Sequence, residues 1–225
     1  MNRTPVAPRP ITPWEAAYLR FETPDQEVRK FLRRFQRLRA DEWPRDALIL
    51  DLFCGRGSGE KALRLRGFHR IIGVDLSEQL LRTRDAGPDS LAADCRFMPV
   101  RAASADIAIV QGGLHHLPQL PDDLAITLDE VQRVLKPGGL FVAVEPWRTP
   151  FLTFAHFVSE IPMVRRLSNR LDAFATMTEH EIRTYAARLT SAPVILAELE
   201  KRFAARYLQI RWGKIFYIGV RGGTA

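Results

Sequence analysis

Residues 50–59 read LDLFCGRGSG. Behind an apolar stretch and the acid Asp51, glycine recurs at every second position, as Gly55, Gly57 and Gly59. Glycine at that spacing lets a backbone turn tightly and approach a ligand with no Cβ in between. Where such a loop opens a helix, the first N–H groups also face the ligand. An acid just before the glycines disfavours pyrophosphate, which a carboxylate repels, and suits a ligand carrying an ammonium group. The GxGxxG spacing of dinucleotide folds and the GK[ST] ending of phosphate-cradling loops are both missing.

The flanking pattern predicts where this loop sits. ALILDL (47–52), RIIGVD (70–75), SLAAD (90–94), ADIAIVQ (105–111) and LFVAVE (140–145) read as buried strands. Helical stretches around 57–66, 77–84, 97–101 and 122–135 alternate with them, the last stopping at LKPGG. Strand–helix alternation implies a parallel sheet with helices on both faces. YLQIRW (207–212) and KIFYIGV (214–220) flank Gly213 as a hairpin, after a helix opened by Pro193 that includes Leu196, Leu199 and Phe203. The expected fold class is therefore α/β, a Rossmann-like seven-stranded sheet, mostly parallel with a C-terminal antiparallel hairpin. Ligands on such sheets bind at the carboxyl ends of the strands, where residues 53–59 lie.

At 225 residues and 46% hydrophobic, the chain is large enough for one sizeable core. No apolar run is long enough to span a membrane, and the proline-rich start lacks a signal core. Two cysteines, Cys54 and Cys95, make no disulfide framework, so a cytoplasmic location is expected. The net charge of +7, mostly arginine, raises nucleic acid as a partner without establishing it. Val28, Phe31, Leu32, Phe35 and Leu38 recur at helical spacing. Arg29, Lys30, Arg33, Arg34 and Arg37 then read as the wet basic face of an amphipathic helix.

Five motifs in order, DLFCGRGSG, GVDLS, AADCRFMPV, ADIAIVQGGLHHL and EVQRVLKPGGLFVAVEP, make residues 47–145 resemble a class I S-adenosylmethionine-dependent methyltransferase of the type 11 group. The family usually has glycine where Phe53 stands, which implies a slightly altered loop. The resemblance implies an N-terminal helical cap (1–46), an S-adenosylmethionine-binding core (47–145), a helical lid over the acceptor (146–192), and a last helix and hairpin completing the sheet (193–225), all one domain. It implies S-adenosyl-L-methionine as cofactor, with S-adenosyl-L-homocysteine as product. Asp51, Phe53, Cys54, Gly55 and Gly57 would form the loop around the methionine end. Asp75 would hold the ribose hydroxyls. Leu76, Asp94 and Cys95, with Phe97, would surround the adenine. Gln111 and Gly112 would turn backbone carbonyls to the ammonium group, and His116 would also bind the cofactor. No metal site is expected.

For the acceptor side, His115, His116 and Glu145 are the candidate catalytic residues, because histidine titrates near neutrality and an acid beside it orients it. Trp147, Phe151, Phe154, His156, Phe157 and Tyr185 would line the pocket, and Arg165, Arg166 and Arg170 would greet an acidic acceptor or solvent. The expected activity is methylation of a small molecule, with O-methylation one option. Two alternatives stay open: an RNA-modifying methyltransferase, against which the missing [ND]PP[YF] cluster argues, and a non-catalytic interaction protein on the same fold.

Overall fold

A computed structural model describes residues 16–17, 20–84, 89–150, 153, 172–173, 176 and 192–222. In chain order it contains helix α1 (Pro24–Arg37), strand β1 (Ile49–Leu52), α2 (Ser58–Leu65), β2 (Ile71–Asp75), α3 (Glu78–Arg82), β3 (Ser90–Ala92) and β4 (Ala105–Gln111). A 3₁₀ turn (Leu114–His116), α4 (Asp122–Val134), β5 (Leu135–Pro146), α5 (Ala192–Arg202), β6 (Phe203–Arg211) and β7 (Lys214–Arg221) follow. The strands form one seven-stranded sheet in the order β3-β2-β1-β4-β5-β7-β6. β1 to β5 are parallel, and β7 runs antiparallel between β5 and β6. The order reverses between β1 and β4, which places the switch point at the ends of those two strands.

Alternating side chains sort onto two cores. Ile49, Ile107, Ile109, Val142, Val144, Phe216 and Ile218 meet Val28, Phe31 and Phe35 of α1 and Ala62 and Leu63 of α2. Leu50, Leu52, Ala108, Val110, Phe141, Ala143, Ile215 and Tyr217 meet α4 and α5 on the other face. Helix α1 starts cleanly. Thr23 and Gln26 bond to each other's backbone N–H groups as a capping box, and Pro24 occupies the first turn. Among the described residues no helix is long and apolar enough to cross a membrane.

Three expectations are corrected. The helix opened at Pro193 ends at Arg202, and Phe203 belongs to β6, which begins four residues before the expected start at 207. Phe203 pairs with Arg221 and stacks on Phe141, ring centroids 5.0 Å apart, so packing overrides the helical spacing that linked it to Leu199. Helix α4 does stop at Val134, directly before LKPGG, but that segment lies within the span of β5, which starts at Leu135 instead of Leu140 and passes a register shift opposite β4. No helix forms at 97–101, where Glu130 accepts the Met98 N–H at 2.6 Å and holds the chain in a turn instead. Phe151, Phe154, His156, Phe157, Arg165, Arg166, Arg170 and Tyr185 lie outside the described residues.

A Cβ on Gly219 would lie 2.5 Å from the Phe203 Cβ, so glycine there is what admits the ring. Phe203→Ala should therefore cost about 3–5 kcal/mol in denaturant unfolding, a core-sized loss. A shift of a few tenths would place residue 203 on the surface.

Candidate active site

The loop after β1 needs unusual backbone. Gly55 and Gly57 have φ of 54° and 79°, and Phe53 has φ of 55°. Phe53 thus takes up the left-handed conformation that glycine, its usual counterpart in the family, adopts freely, at a cost of about 1–2 kcal/mol. Its ring rests on Gly113 beyond β4, where a Cβ would collide with it. Gly57 then caps α2.

Asp75, the last residue of β2, fastens this loop. One carboxylate oxygen accepts the Gly55 N–H and the other the Ser77 N–H, both at 2.8 Å. Ser77 in turn caps α3 by accepting the Leu80 N–H at 3.2 Å. Four lone-pair sites on a carboxylate leave two for a ligand. Asp51 lies beneath the loop, 3% exposed, and a Cβ on Gly59 would lie 2.6 Å from its Oδ2. Burial, with Glu60 nearby, pushes the Asp51 carboxyl well above the usual carboxylate range.

Glu60 was missed in the sequence. It is fully buried, pairs with Arg84, and is pushed up to about 7 by burial. Gly73 leaves room for it, since a Cβ there would meet Glu60 and the Cys54 sulfur. An acid in the first turn of α2 signalled only a favourable dipole contact.

Beyond the end of β3, Asp94 is already engaged. Arg96 donates to it from Nε at 3.1 Å and Nη2 at 2.7 Å, and reaches Asp123 from Nη1 at 2.7 Å. These bonds hold the Asp94 carboxyl below its ordinary range. Cys95 is buried, which pushes its thiol up to about 12, and burial raises the Cys54 thiol as well. Both sulfurs stay protonated near neutrality. Leu76 and Phe97 are 74% and 69% exposed, large apolar groups left uncovered at the rim beside Asp75 and Asp94.

At the end of β5, Glu145 turns inward toward the turn that follows β4. Its Oε1 accepts the N–H groups of Gly113 at 2.8 Å and Leu114 at 2.9 Å, and its Oε2 lies 3.1 Å from His115 Nδ1. Glu145 is 1% exposed and His115 is buried. His116 is partly exposed, its ring 4.1 Å from that of His115. The three candidate catalytic residues therefore come together, but Glu145 and His115 brace the turn that presents His116. Gly112, with φ of 80°, begins the turn and donates to the Val144 carbonyl at 2.9 Å.

The basic helix face divides. Arg29, Arg33 and Arg37 are exposed, as a wet face requires, whereas Lys30 and Arg34 turn toward the sheet. Lys30 pairs with Glu22 and lies 3.5 Å from Glu27. Glu27 accepts from Arg56 of the glycine loop at 2.8 Å, and Arg56 donates to the Glu22 carbonyl at 2.7 Å. Burial raises the Glu27 carboxyl, and Lys30 and Arg56 more than reverse this, holding it below its ordinary range. Arg34 donates to Gln111 Oε1 at 3.3 Å, and burial lowers it to about 10. Lys214, across at the start of β7, is pushed down to about 7 by burial and by nearby Arg34 and Lys30.

The Lys214 shift predicts a pH dependence. An amine at about 7 in the folded chain and about 10.5 unfolded means that the native state binds fewer protons between those values. Its contribution to stability should rise with pH across that window. Lys214→Met should flatten the rise in unfolding free energy between neutral and alkaline pH; an unaltered slope would mean that Lys214 titrates normally.

Known proteins match the region just described. Residues 50–143 match the Methyltransf_11 model, described as a methyltransferase domain. A demethylmenaquinone methyltransferase of Clavibacter sepedonicus is 36% identical over 124 residues, 52% of this chain and 44% of that protein. The mitochondrial arginine-hydroxylase NDUFAF5 of Mus musculus is 31% identical over 98 residues, 42% of this chain and 27% of that protein. The chain thus spans less than half the length of these curated relatives. A crystal structure from Methanococcus maripaludis, titled as a candidate S-adenosyl-L-methionine-dependent methyltransferase, superposes with a TM-score of 0.64 at 12% identity, covering 99% of both chains. The chain carries, in residues 50–143, a methyltransferase domain of the type 11 group set on the class I S-adenosylmethionine-dependent methyltransferase fold.

Proposed function

We propose that this protein transfers the methyl group of S-adenosylmethionine to a small molecule. The observation that carries the reading is the placement of Asp75, at the end of β2, between the glycine loop and two uncovered apolar side chains, Leu76 and Phe97. The residues fit the cofactor. Asp75 has lone pairs left for ribose hydroxyls, and Leu76 and Phe97 offer apolar surfaces on which an adenine could rest. The loop backbone at Gly55 and Gly57 is free of Cβ atoms where the methionine end would lie. Asp94 would serve the adenine amino group only with the lone pairs that Arg96 leaves. When bound, S-adenosylmethionine supplies a methyl carbon made electrophilic by its sulfonium.

The chain's own part is positioning. Holding an acceptor atom in line with that carbon accounts for roughly 7–11 kcal/mol in comparable reactions. His116 is the candidate for taking a proton from a hydroxyl acceptor, with His115 and Glu145 fixing the turn beneath it. A small-molecule acceptor is supported by relatives named for menaquinone and sterol methylation. The hydroxylase name of NDUFAF5 shows that relatives of this domain are not all named for methyl transfer.

Calorimetry with S-adenosylhomocysteine tests the donor side. Asp75→Ala should weaken binding about 10- to 150-fold, the worth of hydrogen bonds to a charged group; equal affinity would remove Asp75 from the site. Turnover is read with tritiated methyl donor against a metabolite extract. With a hydroxyl acceptor, His116→Ala should lower label transfer about 10²–10⁴-fold at unchanged S-adenosylhomocysteine affinity. Undiminished transfer would exclude His116 as the base.

A further inference from the structure

Resting on the methyl-transfer reading, we infer that the acceptor carries an oxyanion, a carboxylate or a phosphate, seated between Arg34 of α1 and Lys214 of β7.

The two cations reach the same edge of the sheet from elements far apart in sequence. Gln111 follows Ile107 and Ile109 on the α1-facing side of β4, and its Oε1 accepts from Arg34. Lys214 precedes Phe216 and Ile218 on that same side of β7, and Arg37 lies over the Phe216 ring at 4.9 Å, which sets α1 across both strands. β7 is antiparallel to β5, and Lys214 pairs with Pro146, the last residue of that strand. The start of β7 therefore shares an edge with the ends of β4 and β5, where an acceptor must meet a donor held by the glycine loop.

The charges at this edge are only partly offset: Glu22, Glu27 and Glu145 act on Arg34, and Glu145 and Glu22 on Lys214, from beyond ion-pair distance. Lys30 and Arg56 are matched by Glu22 and Glu27. Glu145 alternates onto the opposite face, where two backbone N–H groups and His115 hold it. Arg34 and Lys214 have no carboxylate within ion-pair distance among the described residues, although both are partly buried. Two such cations, near enough for Arg34 to disfavour the charged form of Lys214, incur desolvation and repulsion together. Gln111 adds a second sign: its Nε2 is buried with no hydrogen-bond partner among the described residues. A buried donor beside two cations that lack an ion pair among the described residues is satisfied by an acceptor bearing negative charge. Burial and mutual repulsion push Lys214 toward neutrality, and an oxyanion beside it would return its proton.

The test titrates protein saturated with S-adenosylhomocysteine with benzoate, phenyl phosphate and benzamide. One of the two anions should bind at least about tenfold more tightly than the neutral amide, and which one does identifies carboxylate or phosphate. Arg34→Met and Lys214→Met should each remove that preference while S-adenosylhomocysteine affinity stays unchanged, and Lys214→Arg should retain most of it. Just above neutral pH, anion binding should take up a proton, seen as a heat that depends on the buffer and disappears in Lys214→Met. In the tritium experiment the labelled product should elute with the fraction retained on an anion exchanger. Equal binding of all three probes, or of none, overturns the inference. So does a loss of S-adenosylhomocysteine affinity in Arg34→Met and Lys214→Met, which would assign the cations to the cofactor's own carboxylate. Wild-type protein that fails to bind S-adenosylhomocysteine overturns the methyl-transfer reading and this one with it.

Discussion

Two main-chain N–H groups from different loops end on one carboxylate, that of Asp75. This fixes the glycine loop of β1 against the end of β2 and starts α3 at a set angle. It adds to the Cys54 N–H bond to the Val74 carbonyl and the Arg56 bonds to Glu27 and the Glu22 carbonyl in holding three left-handed residues at 53, 55 and 57. Closing the loop in this way buries Asp51 and Glu60 below it and leaves Leu76 standing into solvent. One hydrogen-bonded acid thus decides what is covered at the switch point and what is left open.

The second constraint is electrostatic and comes from α1. Its first turn carries Glu27, which meets Arg56 of the glycine loop, while Lys30 meets Glu22 at the entry to the helix. Buried pairs of this kind add little net stability over apolar packing, but breaking one strands a charge. The helix is therefore held in one register over the loop, and the same register brings Arg34 to Gln111. The glycine loop after β1 and the end of β4 are linked through this one helix.

The histidine pair illustrates how two adjacent identical residues come to differ in burial. Adjacent residues cannot both face one pocket from a tight turn. His115 goes inward to Glu145, which also collects the two N–H groups of the turn, and His116 stays nearer solvent against its neighbour's ring. The buried acid thereby ties down the strand end and fixes the turn that carries His116.

The parallel strands, the closing hairpin and the glycine loop were legible in LDLFCGRGSG, RIIGVD, ADIAIVQ and the Gly213 turn, because hydrophobic periodicity and glycine spacing are local. The domain type followed from five motifs in order. Phe203 was misread because Leu196, Leu199 and Phe203 also fit a helix, and only the stack on Phe141 separates the two. Glu60, Arg96, Arg34 and Lys214 could not be picked out of the sequence, since nothing local marks a charge that will be buried. Burial, partners and the resulting protonation are properties of what packs opposite, here residues 24 to 180 positions away in sequence for Glu60–Arg84 and Arg34–Lys214. The sequence by itself determined the sheet and the loop; the tertiary structure alone decided which charges face the pocket, because only folding brings α1 and β7 to one edge.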